Sequence, residues 1–149
     1  MFAYRISLTK YSGQLIASGN AARWSSKDIK VIYTASSRSL ACLENVVHRS
    51  QEDLSQEFNV LTIYIPDTLE IKTISLNDLA SDWNHYDRIS NTRIIGDNWV
   101  KENRTAILQV PSSIVHEEVN YLINPGHPDF KYIKLVKTQS FVFDGRIKH

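Results

Sequence analysis

The stretch EFNVLTIYIP, from Glu57 to Pro66, sets the tightest limit on the architecture. Its residues are apolar on both alternating faces, so as a strand it must be covered from two sides and belongs in the middle of a sheet. Pro66 then ends it, because a proline cannot donate to the ladder. Other segments supply the company such a strand needs. Phe2 to Leu8 reads as a strand, as do Lys30 to Ala35 (KVIYTA) and TAILQVPSSIV, which stops at Pro111. LEIKTI is expected beside the central strand, and two last strands are expected around Tyr132 to Lys137 and Ser140 to Phe143. Helices are expected from about Ser37 to Arg49, with Ser36 or Ser37 as cap, and from about Arg88 to Asn103, with Gly96 as a possible interruption. Strands and helices do not alternate regularly enough for a doubly wound sheet, so the fold class is α+β.

Nothing in the chain suggests a boundary: there is no repeat, no low-complexity tract and no Gly, Pro or Ser linker. A length of 149 residues with 42% hydrophobic and 22% charged residues suits one globular domain spanning 1–149 and argues against disorder. The formal net charge is +1 and the basic residues are scattered, which leaves no stripe for direct nucleic-acid binding. The lone Cys42 excludes an internal disulfide and a multi-cysteine zinc site, as expected of a reducing compartment. No apolar run approaches the ~18 residues of a membrane span. A soluble, cytoplasmic protein is expected. The histidines have no metal spacing and no glycine-rich phosphate loop follows a strand, so neither a metal nor a Rossmann site is indicated.

One residue breaks the helical pattern. Leu40, Leu43, Val46 and Val47 form the expected inward stripe of the first helix, and at about 100° per residue Glu44 falls inside it. Burying an unpaired carboxylate costs several kcal/mol, roughly, so Glu44 either reaches water or an arginine at the stripe's margin or stands at the wall of a ligand site. Arg23, in a loop, is either a surface arginine or a fork for a phosphate or carboxylate. Tyr33 is either strand packing or part of the same cleft, since its strand leads directly into the helix of Glu44.

The words around these residues resemble the RES family, the toxin half of bacterial RES/Xre toxin and antitoxin pairs. They are YRI at Tyr4 to Ile6, ARW at Ala22 to Trp24, VIYTA at Val31 to Ala35 and LE at Leu43 and Glu44. IGDNW at Ile95 to Trp99, VPS at Val110 to Ser112, NYLINPGHPDF at Asn120 to Phe130 and FDGR at Phe143 to Arg146 continue the series. The arginine, glutamate and serine of the family name map onto Arg23, Glu44 and Ser112. The chain departs from the family's pattern in carrying Ala21 and Ala22 before the arginine and Ser25, in place of an asparagine, after the tryptophan.

The resemblance implies a single domain similar to the ADP-ribosyltransferase toxin fold, with mixed sheets and flanking helices. It also implies consumption of NAD as a substrate, by hydrolysis or phosphorolysis of the nicotinamide–ribose bond, or else transfer of ADP-ribose to a host protein. A binding module without turnover, acting through its antitoxin complex, is the alternative outside the enzyme class. By resemblance Arg23, Tyr33 and Glu44 form the catalytic core, with Ser112 and Asn124 as supports. Ser112 would donate to the ribose, orient Glu44 or cap the next segment, and Asn124 would meet the ligand or shape a turn. Arg5 is a further candidate for phosphate contact or a strand-end surface residue. His127 reads as structural. The implied partner is an Xre-type helix-turn-helix antitoxin, which would itself contact DNA, and a homodimer within that complex is plausible by the same resemblance.

Overall fold

The computed structural model describes residues 1–148. Its centre is a seven-stranded sheet in the order β4-β5-β6-β2-β1-β3-β7. The strands are β1 (Phe2–Leu8), β2 (Ile32–Ala35), β3 (Phe58–Tyr64), β4 (Ile71–Thr73), β5 (Ile107–Pro111), β6 (Val119–Ile123) and β7 (Lys134–Phe141). As its two-sided apolar pattern predicts, β3 is interior, paired along its length with β1 on one side and β7 on the other. All neighbours are antiparallel except β4 and β5. The sheet is therefore mixed and the class α+β.

β1 and β2 meet at a single register pair, Tyr4 with Ala35. Beyond it the two strands diverge, and the sheet opens into halves, β4-β5-β6-β2 and β1-β3-β7. One face is continuous across the split: Ala3, Ile32, Leu61, Ile63, Ile107 and Ile123 share one core cluster, covered by loops and by the short helix around Phe130. The opposite face carries two separate clusters. Helix α1 (Arg38–Val46) covers Ile6, Ala35, Phe58 and Val60 with Leu40 and Ala41. Helix α2 (Ile89–Glu102) covers Val31, Leu108, Val110 and Leu122 with Trp99, and Trp24 and Trp83 join that cluster. A cleft is left between the helices, above the split.

Local chemistry explains the helix limits. Ser37 caps α1, its hydroxyl accepting from the Leu40 N–H at 3.0 Å, and after α1 ends Lys148 Nζ donates to the orphan carbonyls of Val46 and Arg49. α2 runs unbroken through Gly96 and ends at Asn103 in the left-handed region, φ 53°.

Four expectations are corrected. LEIKTI is not beside the central strand: β4 lies at the far edge, parallel to β5, because its apolar residues are only half-buried and suit an edge. The two expected C-terminal strands are one, β7, with Tyr132 in the short helix before it. β6 went unforeseen, since VNYLI follows the polar HEE and contains an inward asparagine. Finally, α1 is rotated from its expected orientation. Leu40 and Ala41 face inward, whereas Leu43 and Val47 are 40% and 51% exposed. Glu44 lies a turn beyond Leu40 and Ala41, on the face turned to the cleft.

Two substitutions test this arrangement by chemical denaturation. Leu61→Ala, in the continuous core of β3, is expected to cost about 2–5 kcal/mol. Leu43→Ala should change stability by no more than about 0.5 kcal/mol; a cost comparable with that of Leu61→Ala would contradict the rotated helix.

Candidate active site

The cleft is a cavity of about 770 Å³, within the range that accepts cofactor-sized molecules. Arg5, Arg23, Tyr33 and Glu44 all line it, together with Arg49, Arg93, Asn120 and Tyr86. Cations outnumber acids on its wall: Arg5, Arg23, Arg49 and Arg93 stand against Glu44 and Asp53. Such a cavity favours an anionic ligand.

Glu44 is held from behind. Its Oε1 accepts from Asn120 Nδ2 at 2.8 Å and from Ser112 Oγ at 3.0 Å. The serine has no freedom in this: its oxygen already accepts the backbone N–H groups of Ile114 and Val115, both at 3.1 Å. A hydroxyl has one proton to give, and here it is directed at Glu44. Ser112 is fully buried and is not on the cavity wall, so it both caps the following turn and positions Glu44, while a direct contact with a ligand is not available to it. With Oε1 engaged, Oε2 is the carboxylate oxygen left for the cavity.

Tyr33 projects from β2 with its hydroxyl 2.6 Å from Ser25 Oγ and accepting the Trp24 N–H at 3.3 Å. Ser25, one of the departures from the family's pattern, thus anchors the tyrosine. Burial pushes the phenol up to about 12 against small opposing effects of these hydrogen bonds, so Tyr33 is a neutral wall. Arg5 leaves β1 next to the split, and its Nη1 donates to the Tyr33 carbonyl at 3.3 Å. A side chain thereby takes up a backbone acceptor where the β1–β2 ladder is missing. Burial lowers the Arg5 pKa from its ordinary value.

Arg23 and Asn120 each leave a buried polar atom of the cavity wall unpartnered, Asn120 at its Oδ1. The Arg23 Nη1 is buried with no hydrogen-bond partner. Burial lowers its pKa, the charge of Glu44 opposes that shift and the charge of Arg93 adds to it. The loop that carries it is gripped by one face of α2. Thr92 Oγ1 donates to the Arg23 carbonyl, Arg93 Nε donates to the Ala22 carbonyl at 2.8 Å, and Asp97 accepts from the N–H and hydroxyl of Ser26. Between these contacts Gly96 lies against Trp24, where a Cβ would come within 1.6 Å of the carbonyl oxygen. The glycine in mid-helix is required by close backbone approach, and the IGDNW word is explained by it: Gly96 admits the loop, Asp97 fastens it, and Trp99 packs beneath with its Nε1 bonded to Thr105.

Asn124 lies apart from this constellation. Its side chain donates to Asn103 Oδ1 and accepts from the Gly126 N–H, closing a turn against the end of α2, and it does not line the cavity. The asparagine brought to the site is Asn120, four residues earlier. No periodic signal marks it; only the pairing of Ala35 with Asn120 across β2 and β6 turns it toward Glu44. His127 accepts the Asp129 N–H in the turn and is structural. Among the described residues no three His, Cys, Asp or Glu side chains are gathered as a metal site, and no helix is long and apolar enough to cross a membrane.

Two tests follow from this geometry. Gly96→Ala should cost about 1–3 kcal/mol through overpacking and alter the emission of the buried Trp24, whereas unchanged stability would mean that helix and loop are not in backbone contact. The Tyr33 phenol stays protonated in the folded protein to a higher pH than in the unfolded chain, so its stabilising effect is present below about pH 10 and is lost as pH rises toward about 12. Ultraviolet titration of the wild type against Tyr33→Phe should assign the missing phenolate step to that upper range; a step near 10 would show an unburied ring.

Comparison with known proteins finds a family and a fold for the chain. A family profile, RES domain, matches residues 3–144. The chain is 40% identical to a Prs ADP-ribosylating toxin of Sphingobium sp., over 84% of this chain and 79% of that protein. It is 37% identical to Toxin Res of Photorhabdus laumondii, over 99% and 97% respectively. The fold is similar to that in the M. tuberculosis MbcT–MbcA toxin–antitoxin complex, with a TM-score of 0.78 at 16% identity, covering 95% of this chain and 84% of the other. A match over nearly the whole length, to the family profile and to relatives at 40% and 37% identity, shows that the chain belongs to the RES domain family.

Proposed function

We propose that this RES protein is the toxin of a toxin–antitoxin pair and cleaves the nicotinamide–ribose bond of NAD. The observation that carries the reading is the pairing of an oriented carboxylate with an unpartnered guanidinium in one cavity: Glu44, fixed by Ser112 and Asn120, and Arg23, with its buried Nη1 free. A dinucleotide offers both complements, a sugar that becomes cationic during the reaction and a pyrophosphate.

The chemistry asks little of the protein beyond placement and charge. When the C1′–N bond breaks, its electron pair returns to the pyridinium nitrogen, so nicotinamide departs neutral and no general acid is needed. Positive charge develops on the ribose, and the free Oε2 of Glu44 stabilises it and accepts from a ribose hydroxyl. Water or phosphate then bonds to C1′ and releases a proton. Arg23 holds the pyrophosphate, and the neutral Tyr33 gives the nicotinamide end an aromatic wall. Arg5 acts through Tyr33 by fixing its backbone.

The name of the Sphingobium relative supports a second reading, in which a protein side chain is the acceptor. An antitoxin partner is proposed from the toxin–antitoxin complex that shares the fold, and an Xre-type helix-turn-helix protein is the class the family resemblance implies. The cytoplasm, where NAD and such a partner meet, is the proposed location.

Pure protein incubated with NAD, with and without phosphate and with and without cell extract, tests these readings together. Nicotinamide release without extract is expected. Release only with extract, with label on one protein band, would favour transfer, and no release under any condition would leave a binding module. Glu44→Gln keeps the acceptor facing Ser112 and Asn120 and removes the charge; it should lower release by about 10²–10³-fold with the fold intact. Retained activity would remove Glu44 from its assigned role.

A further inference from the structure

Arg93 belongs to no word of the family resemblance, yet it lines the same cavity as Arg23. Its Nε is tied to the Ala22 carbonyl at 2.8 Å, which fixes the guanidinium plane beside the arginine loop and leaves the terminal nitrogens unspent. Among the described residues neither Arg23 nor Arg93 is in an ion pair. The nearest acid on α2, Asp97, has both oxygens bonded to Ser26. Two guanidinium groups share the wall of one partly buried cavity, neither within salt-bridge distance of a carboxylate and one of them with an N–H group buried without a partner; the charge of Glu44 offsets only part of the cost of burying Arg23. An anion bridging the two guanidinium groups offsets the rest.

We propose that Arg93 and Arg23 form a two-armed clamp for a pyrophosphate group, so that the site selects nucleotides bearing a diphosphate over those bearing a monophosphate. The assignment of the diphosphate to a dinucleotide rests on the NAD reading; the clamp itself does not. Each arm faces one of the two charges, and because Arg93 is tethered to Ala22 while Thr92 holds Arg23, both arms move as one unit with α2. Burial lowers the Arg23 pKa, Glu44 opposes part of that shift and Arg93 adds a smaller lowering, so the one acid beside the pair does not fully compensate them.

Calorimetric titration of the purified protein with inorganic pyrophosphate and with orthophosphate, at about 50 and 200 mM salt, tests the clamp. The wild type is expected to bind pyrophosphate more tightly than orthophosphate, and Arg93→Gln to weaken pyrophosphate about tenfold to a hundredfold while flattening the salt dependence. Thr92→Val loosens the loop without removing a charge, so it should leave the salt slope as in the wild type, and Arg93→Lys should restore the slope. Equal pyrophosphate affinity in Arg93→Gln, an unchanged salt slope in that variant, or no preference over orthophosphate in the wild type would overturn the proposal. Nicotinamide release is measured on the same preparations: a clamp that binds pyrophosphate in a protein that releases none refutes the NAD reading alone, and release unaltered by Arg93→Gln with unaltered pyrophosphate binding refutes the clamp alone.

Discussion

A single backbone pairing, Tyr4 with Ala35, holds the two halves of the sheet together on the helical side. Had β1 and β2 paired along their lengths, the face would be continuous and the helices would close over it. Because they part, Tyr33 has room to project, Arg5 can reach the carbonyl that no strand bonds, and Glu44 approaches from α1 across an open floor. The continuous cluster on the opposite face, running from Ala3 to Ile123, is what allows such an opening without loss of the domain. One face keeps an unbroken core, while on the other two separate clusters flank the cleft.

The site is built from groups that are each held by something else. Ser112 is fixed by two backbone donors before it reaches Glu44, Tyr33 by Ser25 and the Trp24 N–H, and the Arg23 loop by the Thr92 to Asp97 face of α2. Catalytic geometry survives thermal motion only where the supporting contacts are themselves locked. Gly96 is the tightest of these supports, since only the absence of a side chain lets a helix meet the Trp24 carbonyl directly.

Much of this is legible in the sequence. β1, β3, the Ser37 cap of α1 and the span of α2 follow from local pattern, and Glu44 stands out because it breaks one. Arg5, Arg23 and Tyr33 were also identified and share a wall with it. What escaped was set by long-range partners. β6 was hidden because its inward residue, Asn120, is polar for the sake of Glu44, and the polar turn at Asn124 attracted the role instead. The rotation of α1 escaped because Leu43 and Val47, apolar but exposed, imitate a buried stripe. Arg93 carried no signal at all, since a half-exposed arginine on a helix is ordinary until the cavity beside it is known.

The grip of α2 on residues 22–26 also fixes when the cleft can take shape during synthesis. The arginine loop is made early, but its fasteners lie at Thr92 to Asp97, and the donors that aim Glu44 come later still, at Ser112 and Asn120. A chain emerging from the ribosome therefore passes most of its translation with the Glu44 carboxylate unaimed. A chain that ends before Asn120 lacks the β2–β6 pairing and one of the two donors to Glu44, so the cleft takes its final form only when nearly the entire polypeptide has left the exit tunnel.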